Sequence, residues 1–382
     1  MEVTGKKVTS GDPFITLKKL YIDLGYHKVT KLVNVFFIVF YGFVYLLQIY
    51  YLIVHFNFEI IAKYSTILLL STYLFNVMIF SIIYEKCILD AYKTFSQIAW
   101  PCDNASKPLQ IIILQRSKTI KYLNYFFLGF IFFMACINWP WLGDQNDFLL
   151  CIQVFKKYFG SWSPLFLLFY YLGFPIIGYS AARIFFIILY GVLHLELQIR
   201  LITELFCKIS RNATLEDVRN AKYQRDVYWT LREGIRHDTA LKKVLFDLNK
   251  EVKHGIPVFL IVTLLCSVSI FFFAITYLES MGFGIQIRTI AFVGAVIFVL
   301  FSYSLLGQHL INQTSLLFDQ LYECPWYTWN VKNRAIYLNF MLNTVRPIKI
   351  TYAGICIDSR FFLSITRIIL SNAFMLYQLR NS

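Results

Sequence analysis

The sequence predicts an all-α membrane protein with seven transmembrane helices, and three observations carry that prediction. Of the 382 residues, 58% are hydrophobic and only 15% charged, against ~25% charged in a soluble domain. The excess apolar residues fall into blocks near the ~20 residues that cross a bilayer. Between the blocks, Lys and Arg gather in alternate loops, as the positive-inside rule requires of a polytopic chain.

Taken in order, residues 1–31 form a cytoplasmic amphipathic segment. Phe14, Leu17, Leu20, Tyr21 and Leu24 recur at helical spacing among Lys18, Lys19 and Lys28, the pattern of a helix lying on the membrane surface or on the bundle. Residues 32–193 hold four spans: Leu32–Val54, Tyr64–Tyr84, Tyr122–Leu142 and Leu165–Leu193. The third ends in Trp139-Pro140-Trp141, aromatics suited to a membrane interface. The fourth is long enough to tilt or project. Residues 194–255 are the long polar region, whose alternating charge and helical apolar period predict one or two amphipathic helices outside the bilayer. Spans five and six, Ile256–Tyr277 and Thr289–Ile311, occupy 256–311. A mixed segment fills 312–355, and 356–382 carries the seventh span, Phe361–Arg380. No internal repeat interrupts this order. The N-terminus is polar through Thr30, so no cleavable signal is expected and the first span would itself direct insertion.

The loops fix the orientation. One side of the bilayer receives 28 of the 36 Lys and Arg and the other receives five, with Arg183, Arg360 and Arg367 in or beside spans. The basic side is the cytoplasmic one. The N-terminus is therefore predicted inside and the C-terminus outside, inverted relative to a G-protein-coupled receptor. The net charge of +14 is on this reading a topology signal and not a nucleic-acid footprint. The sequons at Asn104, Asn212 and Asn312 would face the cytosol and stay unglycosylated. The eight Cys are scattered without a CxxC pair, so no metal site or redox motif is expected. No Ser/His/Asp set, carboxylate pair or Gly-rich phosphate loop is present; the sequence predicts no enzyme and no cofactor.

On a helical wheel the last span gathers Phe361, Ile365, Ile368, Asn372, Met375 and Leu379 on one face. Such a face is either a packed core stripe or, repeated by symmetry in an oligomer, a pore lining. The preceding segment favours the pore. It carries Tyr322, Trp326-Tyr327, Arg334 with Leu338, Arg346-Pro347 and Ile350-Thr351, and the last helix ends in Leu379-Arg380. As a set this resembles the C-terminal signature of insect odorant receptors. Leu231 to Val258 is similar to that family's amphipathic helix with a single His, here His237. Two departures stand: Thr351-Tyr352-Ala353-Gly354 replaces a Thr-Ala-Gly, and Asn372-Ala373-Phe374 lies where the family has a Ser-Tyr-Ser cluster.

The resemblance implies a subunit of a ligand-gated, non-selective channel for monovalent and divalent cations. It would work as a tetramer with the shared odorant co-receptor, in the plasma membrane of olfactory sensory neurons. Ile368, Asn372, Met375, Gln378 and Leu379 would line the pore, with Met375 and Leu379 at a hydrophobic gate that closes by dewetting. His237, Tyr322, Trp326, Tyr327, Arg334, Leu338, Arg346 and Pro347 would belong to the anchor between subunits. The family's odorant pocket lies in the outer half of the bundle. Here that half offers Thr72, Tyr73 and Asn76 from span two, and Met134, Ile137, Asn138 and Trp139 from span three. Span four offers Phe174, Gly178, Tyr179 and Ala182, span six Phe292, Val296 and Phe298, and span five Phe272. Tyr73, Asn76, Asn138 and Tyr179 would donate to a ligand oxygen. No unpaired charge joins them, so a neutral volatile is expected: an ester, alcohol or terpenoid. The competing reading for each aromatic is lipid or core contact, in a chain that is 19% aromatic.

Arg183 falls near the middle of span four. An intramembrane charge is a functional candidate, but a tilted helix beside a water-filled vestibule would let the side chain snorkel and stay hydrated. His237, His194 and His309 read first as satisfied packing residues. A gustatory receptor is the near alternative, disfavoured by Phe374-Met375-Leu376-Tyr377-Gln378-Leu379 at the end of the chain. A G-protein-coupled receptor is opposed by the charge topology. A transporter would require broken spans or paired intramembrane charges, which the sequence does not display.

Overall fold

The computed structural model describes residues 12–143, 145–146, 148–210, 219–279, 281–352 and 355–381. The first eleven residues of the N-terminal segment, the sequon at Asn212 and the Ala353-Gly354 pair lie outside them. A single turn, α1 (Ile15–Leu17), runs into a π-helical turn at Lys18–Asp23 and then into α2 (Lys28–Val54), whose N-cap His27 accepts from Val29 N. There follow α3 (Phe58–Ile83), α4 (Glu85–Ile98), α5 (Lys107–Ile137), α6 (Leu150–Phe159), α7 (Ser163–Ser210), α8 (Ala221–Val252), α9 (Gly255–Tyr277), α10 (Phe283–Tyr322), α11 (Val331–Thr344) and α12 (Ser359–Asn381). Among the described residues, seven segments, drawn from α2, α3, α5, α6 with α7, α9, α10 and α12, are long and apolar enough to cross a membrane. The chain is a multi-pass membrane protein.

Two helices outrun the spans the sequence predicts. At 1.5 Å per residue, α7 is about 72 Å and α10 about 60 Å long, near or above twice the ~30 Å hydrocarbon thickness. Neither helix ends at the expected span ends, Leu193 and Ile311, because nothing breaks either helix there. Leu195, Ile199, Ile202 and Phe206 continue the buried face of α7, and Leu317 and Leu321 that of α10. The excess lengths pack with Val227 and Leu231 of α8 and Tyr337 and Phe340 of α11. This end of the bundle, which also receives residue 12, is called basal here, and the opposite end distal. Likewise α5 starts at Lys107, with Pro108 in its first turn. A two-stranded antiparallel strap, β1 (Thr351–Tyr352) with β2 (Ile355–Cys356), was not expected from the sequence and leads into α12.

From residue 12 onward the N-terminal segment lies on the bundle. Phe14, Leu17, Tyr21 and Ile22 are buried against Phe186, Tyr190 and Leu193 of α7. Arg183 fastens it there. Its guanidinium donates to the Gly25 carbonyl and to the Ser81 hydroxyl of α3, and lies 4.6 Å over the Tyr26 ring. At 1% exposure it does not snorkel: the partners come to it. Arg288, counted from sequence among the distal loop cations, is also buried. Its Nε and Nη2 donate to the carbonyls of Ile137 (3.0 Å) and Trp139 (3.1 Å), satisfying the open C-terminus of α5. His194 and His309 have partners too, Asp12 Oδ1 and Glu196 Oε2, each at 2.9 Å.

The distal loop folds back over the bundle. Gln145 donates to the carbonyls of Asn138 (3.1 Å) and Trp139 (2.9 Å) and accepts from the Tyr171 hydroxyl at 2.7 Å. This holds Phe148 and Leu149 inward, buried with Val44, Ile67 and Phe273. Gly160, at φ +49°, makes the left-handed turn that α7 needs to start directly after α6.

Candidate ligand cavity and pore-facing helix

Between α2, α3, α5, α7, α9 and α10 lies a cavity of about 310 Å³. The spans surround it because each turns its small and aromatic inner positions toward the bundle axis. Phe148 and Leu149 of the distal loop line it as well. Nine sequence-expected pocket residues line it: Tyr73, Met134, Asn138, Phe174, Gly178, Ala182, Phe292, Val296 and Phe298. Among the described residues the lining holds no Asp, Glu, Lys, Arg or His.

The other six expected residues are placed elsewhere, for local reasons. Thr72 donates to the Leu68 carbonyl (2.8 Å) and Asn76 to the Thr72 carbonyl (2.9 Å), one turn back on their own helix. The Tyr179 hydroxyl donates to the Leu20 carbonyl at 2.5 Å and its ring stacks with Tyr21, so it serves the N-terminal segment. Ile137 and Trp139 give their carbonyls to Arg288. Phe272 lies half-buried on α9, away from the cavity lining.

Sequence reasoning missed the α2 wall, Tyr41, Val44, Tyr45 and Gln48, and the α9 wall, including Thr263, Cys266 and Ser267. The available signal was Gln48 itself, an amide in an apolar span that needs a partner. Four lining hydroxyls, those of Tyr41, Tyr45, Thr263 and Ser267, are already committed. Thr72 spends its proton on Leu68, so the Tyr45 hydroxyl is the donor in their 2.9 Å contact. Thr263 and Ser267 donate to carbonyls one turn back, each at 2.7 Å. Tyr41 donates to the Tyr170 carbonyl. Asn138 Nδ2 donates to the Met134 carbonyl at 2.8 Å. The cavity can hold a small molecule by apolar contact and a few hydrogen bonds.

The last helix has two unlike sides. Phe362, Ile369, Ala373 and Tyr377 turn toward α9 and α10, with Ile369 and Ala373 fully buried. Opposite them Ser364, Arg367, Ser371, Met375 and Gln378 form one line, all exposed, flanked by Ile368, Asn372 and Leu379, also exposed. Phe361 and Ile365, placed on the stripe from sequence, are half-buried. The exposed face of α2 is by contrast apolar: Leu32, Val35, Phe36, Val39, Phe43, Leu46, Tyr50 and Ile53.

The basal anchor residues divide similarly. His237 is buried, stacked 3.9 Å from the Trp100 ring. Gln198 Oε1 accepts from the Trp100 N–H (2.8 Å), which fixes the amide, so His237 Nε2 must donate to that same oxygen at 2.9 Å. Burial pushes His237 down to about 4, and the ring is neutral at pH 7. Arg334 donates to the Trp329 carbonyl at 2.5 Å. Pro347 is half-buried. Tyr322, Trp326, Tyr327, Leu338 and Arg346 are exposed. Leu338 shares one side of α11 with Val331, Leu342 and Val345, all exposed.

These features define a seven-span membrane protein with a neutral cavity among its helices. The profile of the 7tm Odorant receptor family matches residues 57–370, and the chain belongs to that family. The fold is similar to the insect olfactory receptor OR5 from Machilis hrabei in complex with eugenol, with a TM-score of 0.69 at 11% identity over 96% of this chain and all of that one. A second structure of OR5 from Machilis hrabei gives a TM-score of 0.62 at 13% identity with the same coverage. A comparison with curated proteins finds no match.

Proposed function

We propose that this chain is the odorant-binding subunit of a ligand-gated, non-selective cation channel, assembled as a tetramer with the shared odorant co-receptor. The N-terminus is cytoplasmic, and the site of action is the plasma membrane of olfactory sensory neurons. The observation that carries this reading is the polar line on the exposed side of α12. Two serines, an arginine and a glutamine facing hydrocarbon would be costly, whereas in a closed oligomer they meet water along an ion path. Met375 and Leu379 on that side supply the apolar constriction that gates by dewetting. The exposed apolar side of α11, with Tyr322, Trp326 and Tyr327 beside it, supports a subunit contact at the basal end.

One helix serves both cavity and pore. Phe298, Val299, Ser302 and Tyr303 of α10 line the cavity. On its other side Phe301 packs on Phe362 of α12 at 5.5 Å, and Gln308 Oε1 accepts from Ser359 N at 3.4 Å. A ligand that prefers one placement of α10 thereby biases α12. The neutral lining supports a neutral volatile as that ligand. Whole-cell current tests the proposal, with the chain expressed alone and with the co-receptor. Volatile-evoked, cation-non-selective current in the co-expressing cells is expected. Absence of evoked current in every combination, with both chains at the surface, would sink it.

A further inference from the structure

We propose that the first span supplies the hydrogen-bonding anchor of the cavity, the amide of Gln48, and that it selects ligands carrying a hydroxyl: alcohols or phenols over the ether or ester of the same skeleton. This rests on the reading of the cavity as the ligand site. Gln48 is 2% exposed, lines the cavity, and its Oε1 has no hydrogen-bond partner among the described residues. Its helical neighbours fix where it points. Val44, one turn before, is buried with Phe148 and Leu149, and Leu52, one turn after, with Tyr64 and Leu150. The side chain therefore stays on the bundle side of α2.

Several donors around the cavity are already engaged. The Tyr45 proton goes to Thr72 and the Thr72 proton to Leu68. Asn138 Nδ2 gives one of its two protons to the Met134 carbonyl, and its Oδ1 is a second amide oxygen on the lining. Gln48 Oε1 is thus a buried acceptor on the lining that receives no proton from the described residues. A hydroxyl brings the missing donor. An ether or ester brings acceptors alone; its oxygen can take a proton from Gln48 Nε2 but leaves Oε1 dry, and a buried unsatisfied acceptor is penalised. The competing anchors are the Tyr73 and Tyr303 hydroxyls, which also line the cavity. Their rings pack on Phe259 (5.6 Å) and Phe185 (5.2 Å), and they would favour an ester carbonyl.

The experiment uses the full chain co-expressed with the co-receptor and three probes on one activating carbon skeleton: the alcohol, its methyl ether and its acetate. The half-maximal concentration for the alcohol is expected about tenfold or more below that for the ether, the size of one buried hydrogen bond. In Gln48→Met the alcohol loses that advantage while the ether is unchanged, and surface labelling is retained because the amide oxygen has no partner to lose. Gln48→Leu repeats the test with a second apolar side chain. Equal potency of alcohol and ether in the unmodified chain overturns the inference. So does an advantage that survives both Gln48 variants and disappears in Tyr303→Phe. Either result leaves the channel reading standing. No current with any volatile, both chains being at the surface, removes that reading and this inference with it.

Discussion

Arg183→Leu is expected to abolish surface delivery of the chain. The guanidinium holds three elements at once: the Gly25 carbonyl and Tyr26 ring of the N-terminal segment, the Ser81 hydroxyl of α3, and α7 itself. Removing it leaves a buried carbonyl and a buried hydroxyl without partners, at about 1–3 kcal/mol each. Domain stabilities are only ~5–15 kcal/mol. The N-terminal segment would also lose the group over which it is folded. Gly25→Ala reaches the same joint from the other side, since a Cβ there falls 2.3 Å from the Tyr21 carbonyl oxygen and 2.7 Å from Arg183 Cδ. Surface biotinylation and gel filtration of solubilised protein report the outcome. Normal delivery of both variants would show that the segment is held by its apolar contacts alone.

Gly307→Ala is expected to cut the maximal ligand-evoked current about tenfold or more at unchanged surface density. Gly307 sits on α10 where the strap enters α12, and a Cβ there would lie 1.9 Å from the carbonyl oxygen of Ile357. That neighbour is backbone, so the strap must move. Overpacking of this kind costs ~1–3 kcal/mol, and ~1.4 kcal/mol is a factor of ten in an equilibrium. The displaced strap leads directly into α12, next to the Phe301–Phe362 and Gln308–Ser359 contacts by which α10 meets it. Gly294→Ala, on the same helix with open space around the added carbon, is the control and should leave the current as it was. Equal currents from both variants would mean that α10 does not transmit ligand binding through this crossing.

The spans were legible because hydrocarbon imposes apolar blocks of a fixed length, and the structure has helices at all seven. Their basal ends were not, because the helical period runs on past the bilayer and only tertiary packing decides where α7 and α10 stop. Polar residues within spans were readable as groups needing partners, but not as to which partners. Thr72 and Asn76 find them one turn back on their own helix, which uses the hydroxyl proton of one and one amide proton of the other. Arg183 meets a backbone carbonyl, a serine and a tyrosine ring, and none of these announces itself in sequence. Gln48 is the reverse case, an amide passed over on a span from which the resemblance takes no pocket residue. On α12 the wheel brought Ile368, Asn372, Met375 and Leu379 together, while the polar line of Ser364, Arg367, Ser371 and Gln378 became visible once Ile369 and Ala373 were seen to pack inward.

The most direct test of the account is thiol accessibility along α12 during ligand-evoked current. Single cysteines at Ser371, Met375 and Gln378, each co-expressed with the co-receptor, are exposed to a charged, membrane-impermeant thiol reagent. Current should be blocked at these three positions and left intact in Ala373→Cys, whose side chain is buried against the bundle, and in the unmodified chain with its native cysteines. Evoked current that persists at all three exposed positions would contradict the assignment of this face to the ion path.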